Sequence, residues 1–251
     1  MNCKLAILIT TFLRDAMLYK AVQSIIDNNP GNCTVLIADQ GYHDEEKDIT
    51  IDYYKSQIPL DYYYIPFDSG LGAGRNYLVN KAKELNIPYI LISADNIQFT
   101  QPYNFQPIIE FLESDINNGI VAFDINYKWM YDLEINNNRF YLKKANHSIE
   151  YKDIKLQQYD LVPNFFLCKT QVLIDNPWND EFNHCDSHIP FFWDLKNNTQ
   201  YKVYWTNYIS AKRQDVKNEE YKTYRDRCLS KESRKIVQAY YGLADWLVIE
   251  K

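Results

Sequence analysis

The sequence predicts an α/β protein: a mixed but mostly parallel sheet flanked by helices, in a single fused domain. Three observations carry that expectation. Through the first half, short apolar runs bounded by turn residues alternate with longer stretches of helical period, the pattern of βαβ units. The 251 residues, 46% of them hydrophobic, suffice for one sizeable core. Polar residues and a small-residue turn fall at the predicted carboxyl ends of strands, where open α/β sheets bind ligands.

Leu5 to Ile9 reads as the first strand. From Asp15, the residues Met17, Leu18, Ala21, Val22, Ile25 and Ile26 recur at three- and four-residue steps on one helix face, and Pro30 and Gly31 end that helix. Thr34 to Ala38 is a second buried strand with Asp39 at its end, and Tyr62 to Ile65 is a third. The segment Asp68 to Asn76 then forms a glycine loop that opens a helix reaching about Asn86. Tyr89 to Ser93 is a fourth strand, closed by Ala94-Asp95-Asn96. No linker or repeat interrupts the chain. Residues 1–124 read as a nucleotide-binding half, 125–215 as an acceptor half, and 216–251 as a helical tail packed back on the body.

A net charge of -6 argues against nucleic acid or anionic lipid as the dominant partner, and membrane contact is expected to be peripheral at most. Five cysteines, Cys3, Cys33, Cys168, Cys185 and Cys228, show no CxxC spacing. Their odd count fits reduced thiols and a cytoplasmic location. The apolar run at Leu5 is too short for a signal peptide or a membrane span.

The glycine segment offers Gly70, Gly72 and Gly74 for close backbone approach, with Arg75 at the helix start where a guanidinium and free N–H groups can meet a diphosphate. It lacks the GK[ST] of a P-loop, and its GxGxG spacing is not GxGxxG. A structural turn explains such a segment as readily. Asp39 either accepts from a nucleobase imide or ribose hydroxyl or caps the next turn. Asp95 repeats that arrangement one strand later. His184, Cys185, Asp186 and His188 have no second ligand pair elsewhere, which sets a zinc site aside, and no residue is assigned to a metal. Trp129, Trp178 and Trp193 suit either the core or stacking on a sugar ring.

Taken in order, Thr10-Thr-Phe-Leu-Arg14, Val35-Leu-Ile-Ala-Asp39, Gly70-Leu-Gly-Ala-Gly-Arg-Asn76 and Tyr89 to Thr100 resemble family 2-like inverting glycosyltransferases of the GT-A type. Val162 to Thr170, Pro177 to Phe182 and Ser187 to Phe192 extend the likeness toward the β1,4-N-acetylgalactosaminyltransferase branch, across about residues 5 to 213. The resemblance implies a Rossmann-like nucleotide-binding sheet, a UDP-linked nucleotide-sugar donor, and a glycan or glycolipid acceptor. It places Thr10, Phe12, Arg14, Asp39, Gly72, Arg75, Asp95 and Asn96 at the donor.

The same resemblance implies Mn²⁺ or Mg²⁺ at the phosphates. Here the acidic triplet is Ala94-Asp95-Asn96, so the outer carboxylates are absent, and the family's late metal-binding histidine falls near Lys212. Fixed positive charge from Lys212 and Arg213 is therefore expected to replace the cation, unless the two are a solvated basic pair. For the general base of an inverting transfer the candidates are Asp186, preferred, and His188, which alternatively positions a phosphate or satisfies a backbone group. The competing reading is a degenerate domain that keeps nucleotide binding and has lost catalysis. Nucleotidyl transfer would need paired carboxylates on two metals, and no such pair is found.

Overall fold

The computed structural model describes residues 5–28, 31–144, 147–215 and 218–249; Cys3, Pro30 and Val216 lie outside them. The first half alternates β1 (Leu5–Thr11), α1 (Asp15–Asn28), β2 (Cys33–Asp39), α2 (Glu45–Lys55), β3 (Leu60–Tyr64), α3 (Leu71–Glu84) and β4 (Tyr89–Ala94). There follow β5 (Ile97–Phe99), α4 (Gln106–Ser114), β6 (Asn118–Asp124), and four strands, β7 (Asp132–Asn136), β8 (Arg139–Lys143), β9 (His147–Tyr151) and β10 (Ile154–Tyr159). The chain continues through β11 (Phe166–Lys169), α5 (Thr170–Asp175), a 3₁₀ turn at Asp180–Phe182, α6 (His188–Asn198) and β12 (Lys202–Arg213). Last come α7 (Glu219–Cys228), α8 (Lys231–Tyr241) and β13 (Leu247–Ile249).

The main sheet runs in the order β3-β2-β1-β4-β11-β6-β12-β10-β9, with β5 paired to β12. Strands β1 to β4 are parallel, and β11 enters antiparallel between β4 and β6. The nucleotide-binding and acceptor halves read from the sequence thus share one continuous sheet. All seven residues of β1 are buried, as a central strand covered on both faces requires. One face packs against α1 and α4 through Leu18, Val22, Ile108 and Leu112. The other packs against α3 and α6 through Leu78, Ala82, Phe192 and Leu195.

The tail is not wholly helical. Its end, β13, pairs in parallel with β8, and Trp246 packs against Phe140. A helix ended by left-handed Gly242 (φ 65°) and followed by an apolar run can return to a sheet edge, and this one does.

The sequence also underestimates how early α3 begins. Gly72, Gly74 and Arg75 lie in its first turns instead of in an open loop. The glycines serve close packing. A Cβ at Gly70 (φ 95°) would sit 2.2 Å from the Asn183 carbonyl oxygen, one at Gly72 2.9 Å from Asn183 Oδ1, and one at Gly74 2.5 Å from Thr10 Cγ2. Gly70→Ala is expected to lower the unfolding free energy by about 3–4 kcal/mol, summing left-handed strain and overpacking. Gly242→Ala, left-handed but with open space at its Cβ, should cost about 1–2 kcal/mol. Urea unfolding of the two variants checks the ranking.

Candidate functional site

The end of β1 is where the polar loops meet. In register, Thr11 lies opposite Asp39 of β2 and Thr10 opposite Ala94 of β4. Thr10 also abuts Gly74 of α3, and Gly70 N–H donates to Gln40 Oε1 at 2.6 Å. Adjacent strands lie about 4.8 Å apart, so three strand-end loops and the start of α3 surround one spot.

Asp39 is completely buried and fully engaged. Its Oδ1 accepts from Gly41 N–H at 2.7 Å, and its Oδ2 from Lys47 Nζ at 2.8 Å and from the Tyr62 hydroxyl. Lys47, 3% exposed, also reaches Asp15 at 3.0 Å. Burial works against its charge, yet the bonds and charges of Asp39 and Asp15 raise its pKa. Burial and the neighbouring carboxylate raise the Tyr62 hydroxyl as well. The sequence did not single out Lys47 or Tyr62, because a lysine in a charged helix and a tyrosine in a strand look solvated.

Asp95 is buried beside them. Thr11 Oγ1 donates to its Oδ2 at 2.8 Å, and Arg14 Nη2 stands 2.5 Å from Oδ1 in an ion pair without hydrogen-bond geometry. Burial raises the Asp95 pKa, Arg14 and Thr11 oppose that, and the charge of Asp39 adds to it, so the two carboxylates share a field. Arg14 also lies over the Tyr221 ring at 4.2 Å. Asn96 donates to the Gln214 carbonyl at 3.1 Å, leaving one neutral oxygen.

These residues do not fit a divalent cation. Asp95 is held by Thr11 and Arg14, and among the described residues no group of three His, Cys, Asp or Glu is arranged to hold a metal ion. Lys212 and Arg213 do not form one cationic patch. Each pairs across β5, with Gln98 and Ile97 respectively, so the two side chains leave opposite faces of the ribbon. Arg213 stacks on Tyr127 at 4.9 Å.

Arg75 belongs to a second cluster, turned toward the acceptor half. It is 3% exposed, its guanidinium lies 4.9 Å from the Trp178 ring, and its Nη1 donates to Asn164 Oδ1 at 3.4 Å. No carboxylate among the described residues is paired with it or shifts its pKa; burial alone lowers it, to about 9, and it stays charged at neutral pH. Nearby, Trp178 Nε1 and His188 Nδ1 are shielded from solvent without hydrogen-bond partners, as are Thr10 Oγ1 and Ser93 Oγ at the strand ends. Buried polar groups are normally satisfied, so these orphans are capable of hydrogen bonding to a polar ligand.

The two base candidates differ. Asp186 accepts from the His188 backbone N–H and faces Arg234 and Arg225; burial raises its pKa from the ordinary value against those charges. His188 is pushed down to about 3, by burial first and by the charge of Arg75, while a hydrogen bond with the Val162 backbone opposes. A neutral imidazole here orients or accepts, and does not exchange a proton near pH 7. NMR titration should find His188 neutral from about pH 8 to pH 5. Because the unfolded chain takes up a proton there and the folded one does not, His188 contributes stability that is lost as pH falls below about 6.5. A titration midpoint near 6.5 would contradict this environment.

The chain matches the family model described as glycosyl transferase family 2 over residues 6–176, more than half its length. No curated protein matches it. Among solved structures, S. aureus TarS 1–349 in complex with UDP-GlcNAc superposes with a TM-score of 0.62 at 11% identity, covering 95% of this chain and 66% of that one. GalNAc-T7 with UDP, GalNAc and Mn²⁺ gives a TM-score of 0.62 at 8% identity, covering 84% of this chain and 43% of that one. Another structure of S. aureus TarS 1–349 gives 0.56 at 12%, covering 81% and 60%. The chain therefore spans 43% to 66% of these three solved chains, and at such identities the likeness is one of fold. No described helix is long and apolar enough to cross a membrane.

Proposed function

The chain belongs to glycosyl transferase family 2, and from that premise we propose that it transfers a sugar, with inversion, from a UDP-linked donor to a glycan or glycolipid acceptor. The observation that carries the reading is the buried Arg75, cationic, without a carboxylate partner, and bordered by unpartnered groups of Trp178 and His188. That cluster of unmatched charge and unpartnered polar groups suits the donor diphosphate. Asp39, held by Gly41, Lys47 and Tyr62, fixes the strand-end loop against which the nucleoside lies.

In the proposed step the acceptor hydroxyl oxygen attacks the anomeric carbon, the bond from that carbon to the diphosphate oxygen breaks, and the proton passes to Asp186. A carboxylate whose proton affinity is raised by burial is a better base than a solvated one. Arg75 stabilises the departing diphosphate by fixed charge, so transfer is metal-independent; the engagement of Asp95 by Thr11 and Arg14 supports this. Arg75 thus takes the part at the phosphates that the sequence gives to Lys212 and Arg213. The similarity of Val162 to Thr170 and Ser187 to Phe192 supports the β1,4-N-acetylgalactosaminyltransferase branch. The free thiols of Cys33, Cys168, Cys185 and Cys228 support a reducing, cytoplasmic setting, with any membrane contact peripheral.

A second reading, a domain that binds nucleotide without turnover, is favoured by the saturation of Asp39 by its own neighbours. Release of UDP from a panel of UDP-sugars separates the two. We expect release with one donor, retained in EDTA, and reduced by 10²–10⁴-fold in Asp186→Asn. Loss of activity in EDTA with recovery on Mn²⁺ refutes metal independence, and full activity in Asp186→Asn refutes the base assignment.

A further inference from the structure

Helix α7 buries none of its residues completely, so core packing does not hold it in place. Its half-buried stripe is Tyr221, Tyr224 and Cys228, at steps of three and four on one face. That stripe lies across the strand-end loops of the donor site. Asn218, which caps the helix, donates to the Leu13 carbonyl at 2.6 Å. Tyr221 lies beneath the guanidinium of Arg14, the partner of Asp95. Tyr224 meets Phe12 edge-on at 5.1 Å and Phe67 at 5.9 Å, and Phe67 in turn stacks on Tyr42 at 4.8 Å. Arg227 pairs with Asp68 at 2.5 Å and approaches His184 at 3.2 Å. One helix thus touches the end of β1, the loop before α3, and the loop before α6.

Phe12, 9% exposed, meets Phe67 edge-on at 5.2 Å, and Tyr42 and Phe67 are 56% and 42% exposed just beyond the ends of β2 and β3. Exposed aromatic rings beside a carboxylate at a strand end form a surface on which a planar, hydrogen-bonding base can lie. A helix held by ring contacts, an ion pair and a few surface hydrogen bonds, with no residue fully buried, is among the less stable parts of a fold, and such elements are the ones that adjust to a ligand.

We propose that α7 is the outer wall of the donor site: Tyr224, with Phe12 and Phe67, packs on the nucleobase, and the Arg227–Asp68 pair latches the helix over the bound nucleotide. The proposal rests on the donor reading above. It assigns Tyr224 to substrate contact and Arg227 and Asp68 to positioning.

The test is UDP binding to the full chain by calorimetry, with deuterium exchange followed over residues 219–228. UDP should slow exchange in α7. Tyr224→Ala should weaken UDP about tenfold, while Tyr224→Phe, which keeps the ring, binds as the parent does. Arg227→Asp should weaken UDP and speed exchange in α7, and Asp68→Arg added to it should restore both. Circular dichroism confirms that each variant is folded. If the parent binds UDP and Tyr224→Ala binds it equally well, the wall assignment falls and the donor reading stands. Tighter binding in Arg227→Asp also overturns it, since α7 would then be obstructing the site. If the parent binds no uridine nucleotide, the donor reading itself fails, and this inference with it.

Discussion

A guanidinium sealed into the interior with no carboxylate partner among the described residues is the constraint around which this fold is arranged. Among the described residues, Arg75 faces the Trp178 ring, the neutral His188 and, through a long hydrogen bond, Asn164. A buried charge lacking a counterion costs several kcal/mol even after relaxation, and the chain accepts that cost at the junction of its two halves. Bringing Arg75 there requires α3 to press against β1 and against the 178–183 segment. Gly70, Gly72 and Gly74 are the positions where no Cβ fits. The Asn76 side chain fixes the same contact, donating to the Trp178 carbonyl at 2.7 Å and accepting from the Trp178 N–H at 3.0 Å. Glycines and asparagines that read as a phosphate loop are thus the scaffold that holds a cation in a dry place.

The two clusters at the end of β1 differ in electrostatic character. Around Asp39 and Asp95, carboxylates are matched by Lys47 and Arg14, so that side is preorganised and nearly neutral. Around Arg75 the charge is unmatched and His188 is kept neutral beside it, so that side attracts an anion. A nucleoside lying on the first and a diphosphate on the second would span the site with few internal adjustments. Preorganised dipoles and charges of this sort act without reorganisation cost when charge develops on a leaving group.

Much of the nucleotide-binding half was legible because its signals are local. The strand LAILITT is apolar throughout, α1 carries an apolar stripe ending before Gly31, and Asp39 and Asp95 fall where parallel strands end. Helix α2 was not anticipated, since its sequence EEKDITIDYYK lacks a clear stripe and its buried positions include Lys47. The strands β7 to β10 were also missed. Their partners lie far away in sequence or in polar hairpins, and β9, HSIEY, is almost wholly exposed. Lys212 and Arg213 show a further limit: adjacency in sequence suggests a joint role, and strand alternation separates them. Nor does any local pattern reveal that Arg14 meets Asp95 or that Arg227 meets Asp68, both being tertiary pairings.

The most direct measurement of the central claim is thermal unfolding of the parent and of Arg75→Met, each with and without UDP. Removing an unmatched buried charge should leave the variant at least as stable as the parent without ligand, and UDP should raise the midpoint of the parent alone. A variant that is markedly less stable, and whose midpoint UDP raises as much as that of the parent, would show that Arg75 is a structural residue and that the anion binds elsewhere.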